Sequence, residues 1–181
     1  MSRLELHTAT SAPAASQPIL AQVQAAFGGT PNMFRAVSNA PAALASMWGS
    51  FGALGGGVLP AKLGEQIAVA VADRNQCHYC LAAHTALGRK AGASAEEMSE
   101  AQAGRSSDSQ TATVLAFAVK LVEERGNVGA ADIASLRNEG LSDEAIVEIV
   151  AHVALSLFTN YVNIAFDTPV DFPSVKFRKA A

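Results

Sequence analysis

The chain's only two cysteines, Cys77 and Cys80, stand three positions apart in "EQIAVAVADRNQCHYCLAAH", residues 65–84 of 181. His84 follows four residues after Cys80, and Glu65 lies twelve before Cys77. On a helix, residues three and four apart share a face, so Cys77, Cys80 and His84 project together if residues 76–91 are helical. A helix N-terminus and an adjacent imidazolium both favour a thiolate, bringing an ordinary cysteine from about 8.5 into roughly the 3.5–7.5 range. Thiolate, not thiol, attacks a peroxide or a disulfide. Glu65 would orient His84 as the third member of a triad does. Side chains at this spacing hold their Cβ atoms about 5–6 Å apart, whereas a disulfide wants roughly 3.5–4.5 Å. A bridge between them would be strained and easily reduced, which suits a turnover intermediate.

For this chemistry the chain must break before Cys77. "LPAKLGEQIAVAVAD" opens with Pro60 and reads as a nearly all-apolar, central helix. "DRNQ" interrupts it with the turn-favouring Asp73 and Asn75 before the helical pattern resumes. That break lets the Glu65 helix fold back on the next one, although Glu65 sits about 120° off the cysteine face on an unbroken helix.

The rest of the chain also reads as helices. Residues 1–16 form an N-terminal arm without apolar period, and residues 17–181 form a single domain. Asn39 is the expected cap of a helix with Pro41 in its first turn; Ser94 with Glu97 makes a capping box, and Ser142 caps the last helix. No segment alternates as a strand does, so the expected class is all-α. A shift of 83 positions carries Glu65, Cys77, Cys80 and His84 onto Glu148, Asn160, Asn163 and Asp167. That is either a duplicated helical unit or chance.

Other readings fit the same residues. Zinc could take Cys77, Cys80, His84 and Glu65, although structural zinc sites draw on two separated pairs. Two buried cysteines beside a satisfied histidine would be ordinary core. A c-type haem site is excluded because Leu81 follows the second cysteine, and a thioredoxin domain lacks its βαβ signals. Elsewhere, His152 is expected as a hydrogen-bonded core histidine, and Asn160 and Asn163 as partners for backbone or cross-subunit groups. Phe34, Met47, Trp48 and Phe51 are expected as packing, some of them walling the thiol pocket. His7 is read as a solvated arm residue, and Tyr79 as packing with a hydroxyl within reach of a peroxide oxygen.

Composition sets the partners. A formal charge of -3 with scattered Lys and Arg gives no continuous basic face, so neither nucleic acid nor an anionic membrane is expected. Half the residues are hydrophobic and only 16% charged, which leaves little polar surface for a monomer and points to a homo-oligomer. "AIVEIVAHVALSLFTNYVNIAF" (145–166) is long and apolar, but Glu148, His152, Asn160 and Asn163 would be costly in lipid, so it reads as a helix buried in protein. The first twenty residues lack the apolar run of a secretory signal, and a cytoplasmic location is the expectation.

The pattern of Glu65, eleven residues, then C-x-x-C-x-x-x-H resembles the alkyl hydroperoxidase D (AhpD) branch of the carboxymuconolactone decarboxylase superfamily. The blocks "GGTPNMFRAVSNAPAAL", "LPAKLGEQIAVAVA" and "GLSDEAIVEIVAHVALSLFTNYVNIAFDTPVD" resemble its peroxidase-related members. The resemblance implies an all-helical AhpD-like bundle assembled as dimers, trimers or hexamers. It implies Cys80 as peroxidatic cysteine, Cys77 as its disulfide partner, and His84 with Glu65 as proton relay. No cofactor is implied; electrons would come from a dithiol reductant such as a lipoyl-bearing protein. One position departs from the pattern: Tyr79 stands where AhpD proteins carry a second histidine. Acid–base chemistry of a decarboxylase or lactone-processing enzyme, through His84 and Glu65, and a non-catalytic redox sensor are the alternatives.

Overall fold

The computed structural model describes residues 2–178, and every regular element among them is helical. The expected domain, 17–181, runs three residues past that range. The helices are α1 (Gln17–Phe27), α2 (Asn32–Val37), α3 (Pro41–Gly55), α4 (Ala61–Arg74), α5 (His78–Lys90), α6 (Ala95–Gln102), α7 (Ser109–Glu123), α8 (Ala130–Asn138) and α9 (Asp143–Ala165).

The apolar run of α4 makes it the axis of the molecule. From Gln66 to Asp73 every residue is buried, and α5, α6, α7 and α9 all pack around it. Its faces divide the core. Val69 and Ala72 join an aromatic-rich cluster with Leu20, Phe34, Met47, Leu81 and both cysteines. Ile67, Ala70 and Val71 join an aliphatic one with Val114, Leu115, Leu136 and Ile149. Small residues set the closeness of packing. A Cβ on Gly88 of α5 would come within 2.5 Å of Met98 Cε and 3.3 Å of Glu65 Cβ, and one on Gly64 would meet the His152 ring at 3.0 Å.

The caps follow the sequence in two of three places. Ser94 and Glu97 form their reciprocal box, and Ser142 Oγ accepts from Ala145 N–H at 3.1 Å. Asn39 does not cap α3: Ala40 holds that position, and the Asn39 amide instead donates to the carbonyls of Glu5 and Ala36. The first sixteen residues lie against the bundle. Arg35 donates to the carbonyls of Leu6 and His7, Ser16 Oγ donates to Ser38 O, and Ala12 is buried. His7 is accordingly no solvated residue; its ring nitrogens meet Asn39 Oδ1 at 3.1 Å and Ser11 Oγ at 3.3 Å. Helix α9 has the length and hydropathy of a membrane span, but it packs on α2, α3, α4, α5, α7 and α8. It also runs unbroken through the positions that match the gap between α4 and α5, so the 83-residue offset does not repeat the local structure.

Candidate active site

Helix α4 ends at Arg74, and the chain reverses within three residues. Gln76 adopts a left-handed φ of 56°. Its N–H donates to Asp73 O at 3.2 Å, and the Cys77 N–H donates to Ala72 O at 2.9 Å. These are the two bonds of a Schellman closure, with glutamine where glycine is usual. Cys77 then serves as N-cap of α5, its Sγ accepting the Cys80 N–H at 3.3 Å. One cysteine therefore closes one helix and opens the next, at the end where the helix dipole favours negative charge.

Cys80 sits in the first turn of α5, and each cysteine is a free thiol, 1% exposed. Asn163 Nδ2, from α9, donates to Cys80 Sγ at 3.2 Å, and Thr159 Oγ1 lies 4.0 Å away. Burial opposes ionisation of Cys80, but the hydrogen bond from Cys77, the charge on His84 and the Asn163 and Asn160 amides outweigh it and bring the thiol down to about 7. The same Cys77–Cys80 hydrogen bond, with burial behind it, pushes Cys77 upward. The pair is asymmetric: Cys80 is the thiol that ionises more readily, and Cys77 the one that keeps its proton.

Glu65 and His84 do meet. Packing of α4 on α5 puts Glu65 Oε2 2.7 Å from His84 Nδ1, which leaves Nε2 free of that bond. Burial disfavours the imidazolium, but the Glu65 carboxylate holds the His84 pKa above its ordinary range. Both line a cavity of about 150 Å³ together with His152, Ser156 and Thr159. The expectation of a hydrogen-bonded His152 fails: its buried Nε2 has no hydrogen-bond partner among the described residues, and burial lowers its pKa. Glu148, its neighbour one turn back, is engaged by the N–H groups of Val58 and Leu59. Among the described residues no three His, Cys, Asp or Glu side chains converge as a metal-ion ligand set.

Tyr79 is tied into the fold. Its hydroxyl accepts the Met33 N–H at 3.2 Å beside the Asp171 carboxylate, which itself accepts the Asn32 N–H at 2.8 Å. Burial raises the phenol pKa, so it stays protonated. The chain after α9 runs back over this region: Phe172 meets Tyr79 edge-on at 5.8 Å, and Phe177 stacks on His78 at 4.0 Å. A small apolar pocket of about 30 Å³ opens on Cys80, walled by Phe27, Phe34, Phe51, Tyr79 and Phe172. A different cavity, about 420 Å³, is lined by Cys77 together with Gln76, Asn163, Thr168 and Val170.

Asn163 is a site residue that the motif spacing does not single out. The sequence marks it by its place in the block 140–171 and by the 83-position offset, which lays Asn163 on Cys80, the residue it touches. Phe172 carries no sequence signal, and Asp171 enters only as the last residue of the block 140–171 that resembles peroxidase-related proteins.

The model of the carboxymuconolactone decarboxylase family matches residues 39–124. No curated protein matches the sequence. Among solved structures, an uncharacterized peroxidase-related protein from Silicibacter sp. TM1040 superposes with a TM-score of 0.81 at 25% identity, over 93% of this chain and 91% of that one. A peroxidase-related protein with an AhpD core from Ralstonia eutropha JMP134 gives 0.83 at 24% identity, over 94% and 92% of the two chains. The debrominase Bmp8, solved with 2,3,4-tribromopyrrole, gives 0.79 at 19% identity over 93% and 91%, a likeness of fold. The family match spans α4, α5 and the cysteine turn between them, and the peroxidase-related structures follow the chain through α9; the chain is similar to the carboxymuconolactone decarboxylase family in sequence over residues 39–124 and to AhpD-like, peroxidase-related proteins in fold over nearly its whole length.

Proposed function

We propose that the protein is a cofactor-free thiol peroxidase that draws electrons from a dithiol reductant. The observation that carries this reading is the asymmetric dithiol: Cys80 Sγ takes the Asn163 amide at 3.2 Å and ionises near 7, while Cys77 keeps its proton beside it. The Cys80 thiolate attacks the distal oxygen of a hydroperoxide; the O–O bond breaks, and the leaving alkoxide or hydroxide takes a proton from His84. Cys80 becomes a sulfenic acid. Cys77 then attacks that sulfur, and water leaves as the disulfide forms. A dithiol, such as that of a lipoyl-bearing protein, restores both thiols. Glu65 keeps the imidazolium oriented and charged.

Cavity size favours a peroxide over a bulky arene. About 30 Å³ at Cys80 matches one water-sized molecule, hence the O–O head of a hydroperoxide. A halogenated pyrrole would require the phenylalanine walls to move. A decarboxylase or lactone-processing reaction would use His84 and Glu65 alone, and a redox sensor would use the cysteines without turnover. The protein acts as a cytoplasmic homo-oligomer, with α9 contributing the interface: Val147, Val150, Ala154, Leu157, Tyr161 and Ile164 make an apolar stripe at alternating steps of three and four, the spacing of a two-helix seam.

The test is turnover of hydroperoxide with dihydrolipoamide, followed with the single-cysteine variants. Cys80→Ser is expected to lose activity entirely, and Cys77→Ser to stop at a sulfenic acid that dimedone traps on Cys80. Undiminished turnover in Cys80→Ser would refute the proposal. Loss on His84→Gln with both cysteines dispensable would indicate the acid–base alternative instead.

A further inference from the structure

The two thiols line different cavities. Cys80 borders the small pocket walled by aromatic rings, which does not include Cys77. Cys77 borders the larger one, which does not include Cys80. Tyr79 stands between them and lines both. The chain after α9 supplies an outer wall to each, Phe172 on the Cys80 side and Pro169 with Val170 on the Cys77 side.

We infer that the Cys77 cavity is the binding site of the reductant, so that oxidant and reductant enter by separate doors and the disulfide is reduced by attack on the sulfur of Cys77. This rests on the reading above for the existence of a Cys77–Cys80 disulfide, not for the identity of the oxidant.

Three observations support it. The first is size. At about 420 Å³ the Cys77 cavity is within the range of small-ligand sites, whereas about 30 Å³ at Cys80 does not hold a dithiol. The second is polarity. Asn163 Oδ1 and Thr168 Oγ1 are buried without a hydrogen-bond partner among the described residues, and both residues line this cavity. A buried polar atom without a partner costs free energy that a ligand's amide or hydroxyl would offset. The site therefore fits a dithiol carried on an arm with an amide or hydroxyl group near its sulfurs. The third is the direction of exchange. Attack on one sulfur of a disulfide expels the other as thiolate, and the better leaving group is the thiol of lower pKa. Asn163 already donates to Cys80 Sγ, so Cys80 is the sulfur prepared to leave with the electron pair.

The steps balance. A reductant thiolate bonds to Cys77 Sγ, the Cys77–Cys80 bond breaks, and its electron pair stays on Cys80 as thiolate. The reductant's second thiol, losing its proton, then attacks the reductant sulfur held on Cys77. Cys77 leaves as thiolate and takes up a proton, and the reductant departs as a cyclic disulfide, two electrons poorer.

The disulfide is made with diamide, so that the reductive half is measured whatever the physiological oxidant. The oxidised protein is mixed with cysteamine, quenched in acid within milliseconds, alkylated and mapped by mass spectrometry. The expected result is cysteamine on Cys77 with the alkyl label on Cys80; cysteamine on Cys80, or equally on both, overturns the inference. Where the adduct resolves too quickly to trap, two variants decide. Val170→Trp, which fills the cavity, and Thr168→Val, which removes its orphan hydroxyl, are each expected to slow reduction by dihydrolipoamide, the former by about tenfold. Unchanged reduction in both, with thermal unfolding midpoints like the parent's, overturns it. Inertness toward hydroperoxide alone would sink the peroxidase reading and leave this assignment standing.

Discussion

At the scale of single residues, the site works by unequal treatment of two chemically identical side chains. Cys77 receives the Cys80 N–H and keeps its own proton; Cys80 receives an asparagine amide and faces a charged histidine. The reactive form of Cys80 is present above about pH 7 and is lost as pH falls through that value. Iodoacetamide should therefore label Cys80 with a rate that is half-maximal near pH 7 and drops about tenfold for each unit below it. His84→Gln removes an imidazolium and Asn163→Ala removes a hydrogen bond, so each should move the midpoint upward, by about one unit or more for the histidine. A midpoint unmoved by both would remove the basis of thiolate activation. The motif residues were legible because three of them lie within eight positions on one helical turn and its neighbour. Asn163 was not, since the chain brings it to Cys80 from 83 positions away through the packing of α9, which no local pattern encodes.

At the scale of elements, the reach from Glu65 to His84 depends on how closely α4 and α5 approach, and Gly88 sets that distance. Gly88→Val would push against Met98 and the Cβ of Glu65, opening the helix pair by the width of a side chain. Denaturant titration should report a loss of about 1–3 kcal/mol. The alkylation midpoint of Cys80 should rise in the same variant, because His84 loses its carboxylate. A stability loss with an unmoved midpoint would uncouple helix spacing from thiol chemistry. The helix break before Cys77 was readable from Asp73 and Asn75, since both favour caps and turns. Its form was not: a left-handed glutamine is held by backbone bonds to Ala72 and Asp73, and its residue type does not announce that conformation. The expected cap at Asn39 failed for a related reason. Asparagine serves any nearby carbonyl, and the docked N-terminal arm offered Glu5 O.

At the scale of the molecule, the all-helical class followed directly from periodicity, whereas the docking of both ends did not. The arm is held by Arg35 on the carbonyls of Leu6 and His7, contacts made to backbone and so invisible in side-chain pattern. Assembly is the remaining whole-molecule property. Val147 and Tyr161 are 68% and 61% exposed on the apolar stripe of α9. If that stripe is buried between two copies, Tyr161→Glu and Val147→Glu should each shift the light-scattering mass toward that of one chain. An unchanged mass in the double variant would place the interface elsewhere.

The segment after α9 carries a further consequence, in time rather than space. Phe172 walls the Cys80 pocket, Asp171 accepts the first N–H of α2, and the backbones of Lys176 and Arg178 bond back to Gln102 and Asp73. Domains tend to fold from the N-terminus as they are synthesised. Here the thiols of α5 emerge from the ribosome well before Asn163 and Phe172 exist. During translation the cysteines behave as ordinary thiols, and the surroundings that distinguish Cys80 from Cys77 are complete only once residues 163–178 have been made and docked.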